Sequence, residues 1–231
     1  MAKSQTILVI SDLHCPYQHP DAISFLKYIK EQYSPTHTIC IGDCVDYHAL
    51  SYHESNPNLA SAGDELKKAV KTLKELYKIF PTVDLVESNH GSLVLRKALS
   101  AGIPSEAIKS YNDILQAPLG WRWHSDLKIQ TPKGQVYFCH GATGTPGKLS
   151  QQYGMSTCQG HFHSKAQITY TSTPDKLIFD AHVGCLIDKK SLAFAYNKLQ
   201  PKRPILSILI IKDGIPQLVP MQLNKNGRWV K

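Results

Sequence analysis

Thr38-Ile39-Cys40-Ile41-Gly42-Asp43-Cys44-Val45-Asp46 is a short apolar run broken at once by a glycine and two acids. A run of this length bounded by turn residues reads as a buried strand, and the abrupt acid delivers a carboxylate to the rim of a sheet. Four further stretches share the design. Residues 6–10 run into Ser11-Asp12-Leu13-His14, 82–86 into Glu87-Ser88-Asn89-His90-Gly91, 136–139 into His140-Gly141, and 155–159 into Gly160-His161-Phe162-His163. One such junction carries little weight; five in one chain point to a site.

The segments between these junctions supply the rest of a layered fold. Ala22, Phe25, Leu26 and Ile29 recur at helical spacing, as do Leu66, Ala69, Val70, Leu73, Leu76, Tyr77 and Phe80. Lys67, Lys71, Lys74 and Lys78 fall on the opposite face of the second helix and read most simply as a solvated stripe. Residues 92–118 read as helix in two pieces, broken near Gly102-Ile103-Pro104 and stopped before Pro118. Trp121 and Trp123 flank Arg122 and read as core or rim aromatics, with base stacking the minority reading. Residues 127–131 and 136–139 form a hairpin pattern, and later strands are expected at 166–173, 177–183, 205–211 and 217–223. Early strands alternate with helices and late strands follow one another, so an α/β (α+β) fold is expected.

At 231 residues the chain suits a single domain over 1–231 with a core that needs no disulfides. The six cysteines show no small-domain spacing, and free, mostly buried thiols are expected. The first apolar run is too short for a signal-peptide core or a membrane span, so a cytoplasmic protein without a membrane partner is expected. A net charge of +8 favours anionic partners. The positive residues are spread along the chain, and charge alone does not establish nucleic-acid binding.

In extended backbone, side chains two apart point the same way, so Asp12 with His14 and His161 with His163 can each address one point. Alone, the first pair is more simply a strand-end turn with a capping Asp and a surface His. Asn89 offers a hard amide oxygen, with His90 beside it to meet substrate. His48 and His53 suit substrate contact or, equally, a surface loop. The Gly/Thr-rich segment 142–147 lacks the Gly-Lys-Ser/Thr ending of a phosphate loop and reads as letting His140 approach the site closely. Carboxylate, imidazole and amide donors without thiolate suit a two-metal site better than a structural zinc.

These five motifs, spanning residues 12–163, resemble the calcineurin-like metallophosphoesterase family in type and order. The resemblance implies two mixed β-sheets packed as a sandwich flanked by helices, the stretch from about Ser164 completing the second sheet, with a dinuclear metal site at the strand ends. It further implies one metal on Asp12, His14 and His163, a second on Asn89, His140 and His161, and Asp43 bridging them. His90 would hydrogen-bond the phosphate or protonate the leaving oxygen, and Asp46 would orient His90. Two divalent ions follow as cofactors, manganese first, with iron, zinc or nickel also compatible. Two departures stand out. Ser88 and Gly91 replace the glycine and the trailing acid that usually enclose Asn89-His90, removing one expected support. Tyr47 stands where protein Ser/Thr phosphatases carry arginine, which argues against that branch.

The expected activity is metal-dependent hydrolysis of a phosphomonoester or phosphodiester by a two-metal-activated hydroxide, on a nucleotide, DNA or RNA. Arg96, Lys148, Lys189, Lys190, Lys202 and Arg203 are expected phosphate contacts. The alternative is a non-catalytic metal-binding protein-interaction scaffold, against which retention of His90 and all seven ligand positions speaks. The oligomeric state is not legible.

Overall fold

The computed structural model describes residues 4–52, 58–191 and 203–231. Strands β1 (Thr6–Ile10), β2 (His37–Cys40), β3 (Val83–Val86) and β4 (Trp121–His124) run parallel, joined by α1 (Ala22–Tyr33), α2 (Ala62–Ile79), α3 (Leu93–Ser100) and α4 (Tyr111–Leu115). Crossover helices are what parallel neighbours require, because a tight turn cannot reverse the chain and keep direction. A second sheet holds β5 (Leu127–Thr131), β6 (Gly134–Cys139), β7 (Ser156–Gln159), β8 (Ala166–Ser172) and β9 (Leu177–Val183), with α5 (Lys148–Tyr153) between β6 and β7. The orders are β11-β10-β1-β2-β3-β4 and β5-β6-β7-β9-β8, where β10 is Ser207–Lys212 and β11 Ile215–Pro220.

Alternation along β1 explains why both of its faces are buried. Ile7 and Val9 join Ile39, Ile41, Phe138, Cys158 and Ala181 in the layer between the sheets. Leu8 and Ile10 face the helices instead, packing with Phe25, Leu26, Leu73 and Leu76. Each fully buried side chain of this size is worth about 1.5–3 kcal/mol, so the sandwich gives the strand ends a stiff base. The lysine stripe of α2 is solvent-exposed as expected, and all six cysteines are free, five of them buried.

Two expectations need correction or limits. The chain beyond Ser164 was expected to complete the second sheet; β8 and β9 do so, but the β10–β11 hairpin pairs antiparallel with β1 in the first sheet. Its apolar residues Leu209 and Ile211 fill the intersheet layer there while closing the hydrogen-bonding edge of β1. Trp121 and Trp123, expected as core or rim aromatics, lie on β4, the first in the core and the second packed against it. Trp121 is buried with Nε1 donating to Phe80 O, and Trp123 stacks on Tyr111. His53 and Lys202 lie outside the described residues. No helix among those described is long and apolar enough to cross a membrane.

Candidate metal centre

Each candidate ligand follows the end of a strand: Asp12 and His14 after β1, Asp43 after β2, Asn89 after β3, His140 after β6, and His161 and His163 after β7. The backbone bends sharply to present them. Asp12, His14, Asp43 and His161 adopt left-handed φ angles of 50°, 51°, 45° and 67°. That conformation costs an L-residue about 1–2 kcal/mol, and such strain persists where surrounding structure enforces it. Two glycines permit the approach of the chains. A Cβ on Gly42, itself at φ +103°, would lie 2.6 Å from His140 Nδ1; one on Gly160 would lie 2.6 Å from Asp12 Oδ2.

The side chains converge in two groups. His163 Nε2 stands 3.1 Å from Asp12 Oδ1 and 3.1 Å from His14 Nε2. Asn89 Oδ1 stands 2.7 Å from His140 Nε2 and 3.1 Å from His161 Nδ1. Asp43 lies between the groups, its Oδ2 3.5 Å from His14 Nε2 and 3.1 Å from His140 Nε2. Groups of three donor atoms within 4.8 Å of one another include Asp12, His14 and His163, and also Asp43, His140 and His161.

The outer contacts decide which ring nitrogens face inward. His14 Nδ1 donates to Asp46 Oδ1 at 2.5 Å and His140 Nδ1 donates to Ile41 O at 2.9 Å, leaving both Nε2 atoms to the centre. Facing imidazole nitrogens between carboxylates call for a cation, and two carboxylates, four imidazoles and an amide oxygen fit divalent metal ions. Burial raises the neighbouring Cys44 thiol above its ordinary value.

In the metal-free protein the imidazoles and carboxylates neutralise one another. Burial alone would lower His14, but hydrogen bonds to Asp12 and Asp46 outweigh it and raise the imidazole to about 10. Burial is likewise outweighed at His140, where the charge of Asp43 raises the ring to about 9. At Asp12 burial is outweighed by hydrogen bonds from His14 and His163, and at Asp43 by the charge of His140; both carboxyls stay well below the ordinary range. Burial and the charge of His140 push His161 down.

The support of His90 differs from the expected one. Its Nδ1 donates to the Asp46 main-chain carbonyl, while the Asp46 carboxylate lies 3.6 Å from that nitrogen and is bonded to His14. The carboxylate therefore holds His14, and the backbone beside it holds His90. Ser88 turns the departure from the usual motif into a brace, its Oγ accepting from Asp43 N at 2.9 Å and Gly91 N at 3.2 Å.

Glu65 is the residue that sequence reasoning missed. Only 1% exposed, it accepts from His48 N at 2.7 Å and Ala49 N at 3.0 Å, fixing the 3₁₀ turn His48–Leu50 that follows Asp46. Its signal was an acid in line with Ala69 and Leu73 on the buried stripe of α2. His48 is buried as well, against the surface-loop reading. The loop after His140 is pinned to the second sheet, with Ala142 N and Thr143 N donating to Gln159 Oε1 and Gly147 N to Asp180 Oδ2.

A groove of about 670 Å³ opens beside the second group, lined in part by Asn89, Ser92, Arg96, Tyr137, His140 and His161. Of the expected phosphate contacts Arg96 lines it, whereas Lys148, Lys189, Lys190 and Arg203 do not.

The family model described as calcineurin-like phosphoesterase matches residues 5–183. The chain belongs to the calcineurin-like phosphoesterase family. The match ends at the close of β9, so the β10–β11 hairpin that completes the first sheet lies outside it. Among solved structures of this metallophosphoesterase fold, Vps29 of Chaetomium thermophilum aligns with a TM-score of 0.51 at 14% identity, covering 98% of this chain and 94% of that one. The same protein complexed with the RaPID-derived cyclic peptide RT-D3 gives 0.51 at 15% identity, covering 98% and 92%. Vacuolar protein sorting 29 from Cryptosporidium parvum gives 0.48 at 15% identity, covering 94% and 96%. At these identities the likeness is one of fold. No curated protein matches the chain.

Proposed function

We propose that the protein is a metal-dependent phosphoesterase acting on phosphomonoesters or phosphodiesters of nucleotides or nucleic acid. The observation that carries this reading is the position of Asp43, whose Oδ2 lies within 3.5 Å of one imidazole from each donor group. Asp12, His14 and His163 would hold one ion, Asn89, His140 and His161 the other, with Asp43 shared. Divalent cations bound there, manganese first and iron, zinc or nickel compatible, supply a low-pKa water and positive charge against the phosphoryl oxygens.

The chain's own part is positioning and proton transfer. His90 N donates to Asp43 Oδ1 at 3.0 Å and its Nδ1 is taken by the Asp46 carbonyl, so Nε2 is left for the substrate. From there, with both ring nitrogens protonated, it donates to a phosphoryl oxygen or passes its Nε2 proton to the leaving oxygen and is left neutral. The net charge of +8 and the polar groove beside Asn89 support an anionic substrate.

The second reading is a metal-binding protein-interaction scaffold, supported by the cyclic-peptide complex of Chaetomium thermophilum Vps29. Hydrolysis of a chromogenic phosphodiester and a phosphomonoester with added Mn²⁺ separates the two. Activity that disappears in His90→Ala and Asp43→Ala supports the enzyme. A protein that binds metal but cleaves neither compound, nor any nucleotide or DNA, leaves the scaffold.

A further inference from the structure

Arg96 stands apart from the other cations because it is held at the groove by its own helix start. It lies on α3, where Nε donates to Ser92 Oγ at 3.1 Å and Nη2 to Asn89 O at 2.6 Å. One edge of the guanidinium is thus spent on the loop that carries Asn89 and His90. Nη1 meets no hydrogen-bond partner among the described residues, and the side chain is exposed and lines the groove with His140 and His161. The Tyr52 ring packs against the guanidinium at 5.6 Å and against Lys97 Nζ at 3.9 Å, placing a second positive charge alongside.

A planar fork fixed in advance loses little freedom when it takes up an oxyanion, and its geometry matches phosphate oxygens. The scissile phosphoryl group is already claimed by the metal-ligand cluster and His90 in the proposed reaction. We infer that Arg96 is a specificity-determining residue that receives a second phosphate, adjacent to the scissile one, so that the substrates are compounds with two neighbouring phosphates. This rests on the phosphoesterase reading for the word substrate, but the binding preference can be measured without turnover. A bracing role for Arg96 is the competing account, and an exposed brace of this kind contributes little to stability.

The test is calorimetric binding of pyrophosphate and orthophosphate to the full-length, Mn²⁺-loaded protein. Wild type is expected to prefer pyrophosphate by about tenfold or more, as a charge-assisted hydrogen bond would give. Arg96→Ala should bring that ratio near one, and Arg96→Lys should restore it in part. Ser92→Ala, which removes a brace but keeps the guanidinium, should retain most of it. A wild-type ratio near one, or a ratio unchanged in Arg96→Ala, overturns the inference. So does a collapse in Ser92→Ala equal to that in Arg96→Ala. An Arg96-dependent preference in a protein that hydrolyses nothing keeps the anion site and removes the phosphoesterase reading instead.

Discussion

The two donor groups are built alike and placed differently. Asp12 and His14 are fully enclosed and backed by Asp46, whereas Asn89 and His161 are exposed beside the groove and only His140 is buried. An enclosed group keeps its geometry because its partners cannot exchange with water; an open one leaves room for a substrate to enter. Asp43 belongs to both. In the proposed reaction this divides the work, the inner half holding a fixed charge and the outer half meeting the phosphate.

The strongest way to break this comparison is Asp43→Asn, which removes the shared carboxylate. Metal content should drop in both halves and turnover should fall on the order of 10³-fold, read by elemental analysis beside a phosphatase assay. Loss confined to one half would mean that Asp43 is not shared.

Next in size is the effect of pH on metal loading. In the metal-free protein His14 at about 10 and His140 at about 9 are protonated at neutral pH, and both must lose a proton to bind metal. Apparent affinity should therefore climb with pH by up to about tenfold per unit for each ion, levelling near pH 9 for the outer ion as His140 becomes neutral and near pH 10 for the inner ion as His14 does. The same shifts act on folding. Both imidazoles lie above their ordinary value of 6.5, so their stabilisation of the metal-free fold is complete below that pH and is lost as pH rises through about 9 and then about 10. Melting of the metal-free protein across this range should fall with pH; a flat profile would contradict it.

Asp46→Asn sharpens the inner half alone. Weakening the acceptor behind His14 should cost about 10–100-fold in affinity for the inner ion while the outer ion stays, measured by stepwise chelation. Equal loss of both ions would place Asp46 differently.

The smallest effect is expected from Glu65→Ala, which strips acceptors from two buried N–H groups. It should cost about 1–3 kcal/mol in stability and slow turnover a few-fold with metal content nearly unchanged. Wild-type turnover in that variant would show that the segment after Asp46 is held by other contacts.

Strand alternation did not aim the candidate ligands, since Asp12, His14, Asp43 and His161 lie at left-handed φ; their positions were legible because each follows an apolar run. The same holds for β1, β2, α1 and α2, found within about two residues of their patterns. β4 was not legible as a strand, since Trp121-Arg122-Trp123-His124 mixes aromatic and charged residues over four positions. What fixes it is Asp84 on the neighbouring β3, which accepts from Arg122 Nη2 at 3.0 Å and from His124 Nε2 at 2.7 Å. The destination of the last hairpin was hidden for a similar reason, because any open strand edge satisfies its backbone equally well.

Residue types and their order along the chain determined the layers, the candidate donor residues and the family, all of which depend on local periodicity and motif spacing. Only the folded chain decided that the Asp46 carboxylate serves His14 while its carbonyl serves His90. Both rings lie within reach of one short segment, and no local rule chooses between them. The segment beyond Asp46 is in turn tied to a distant helix, where the Glu65 carboxylate accepts from His48 N and Ala49 N.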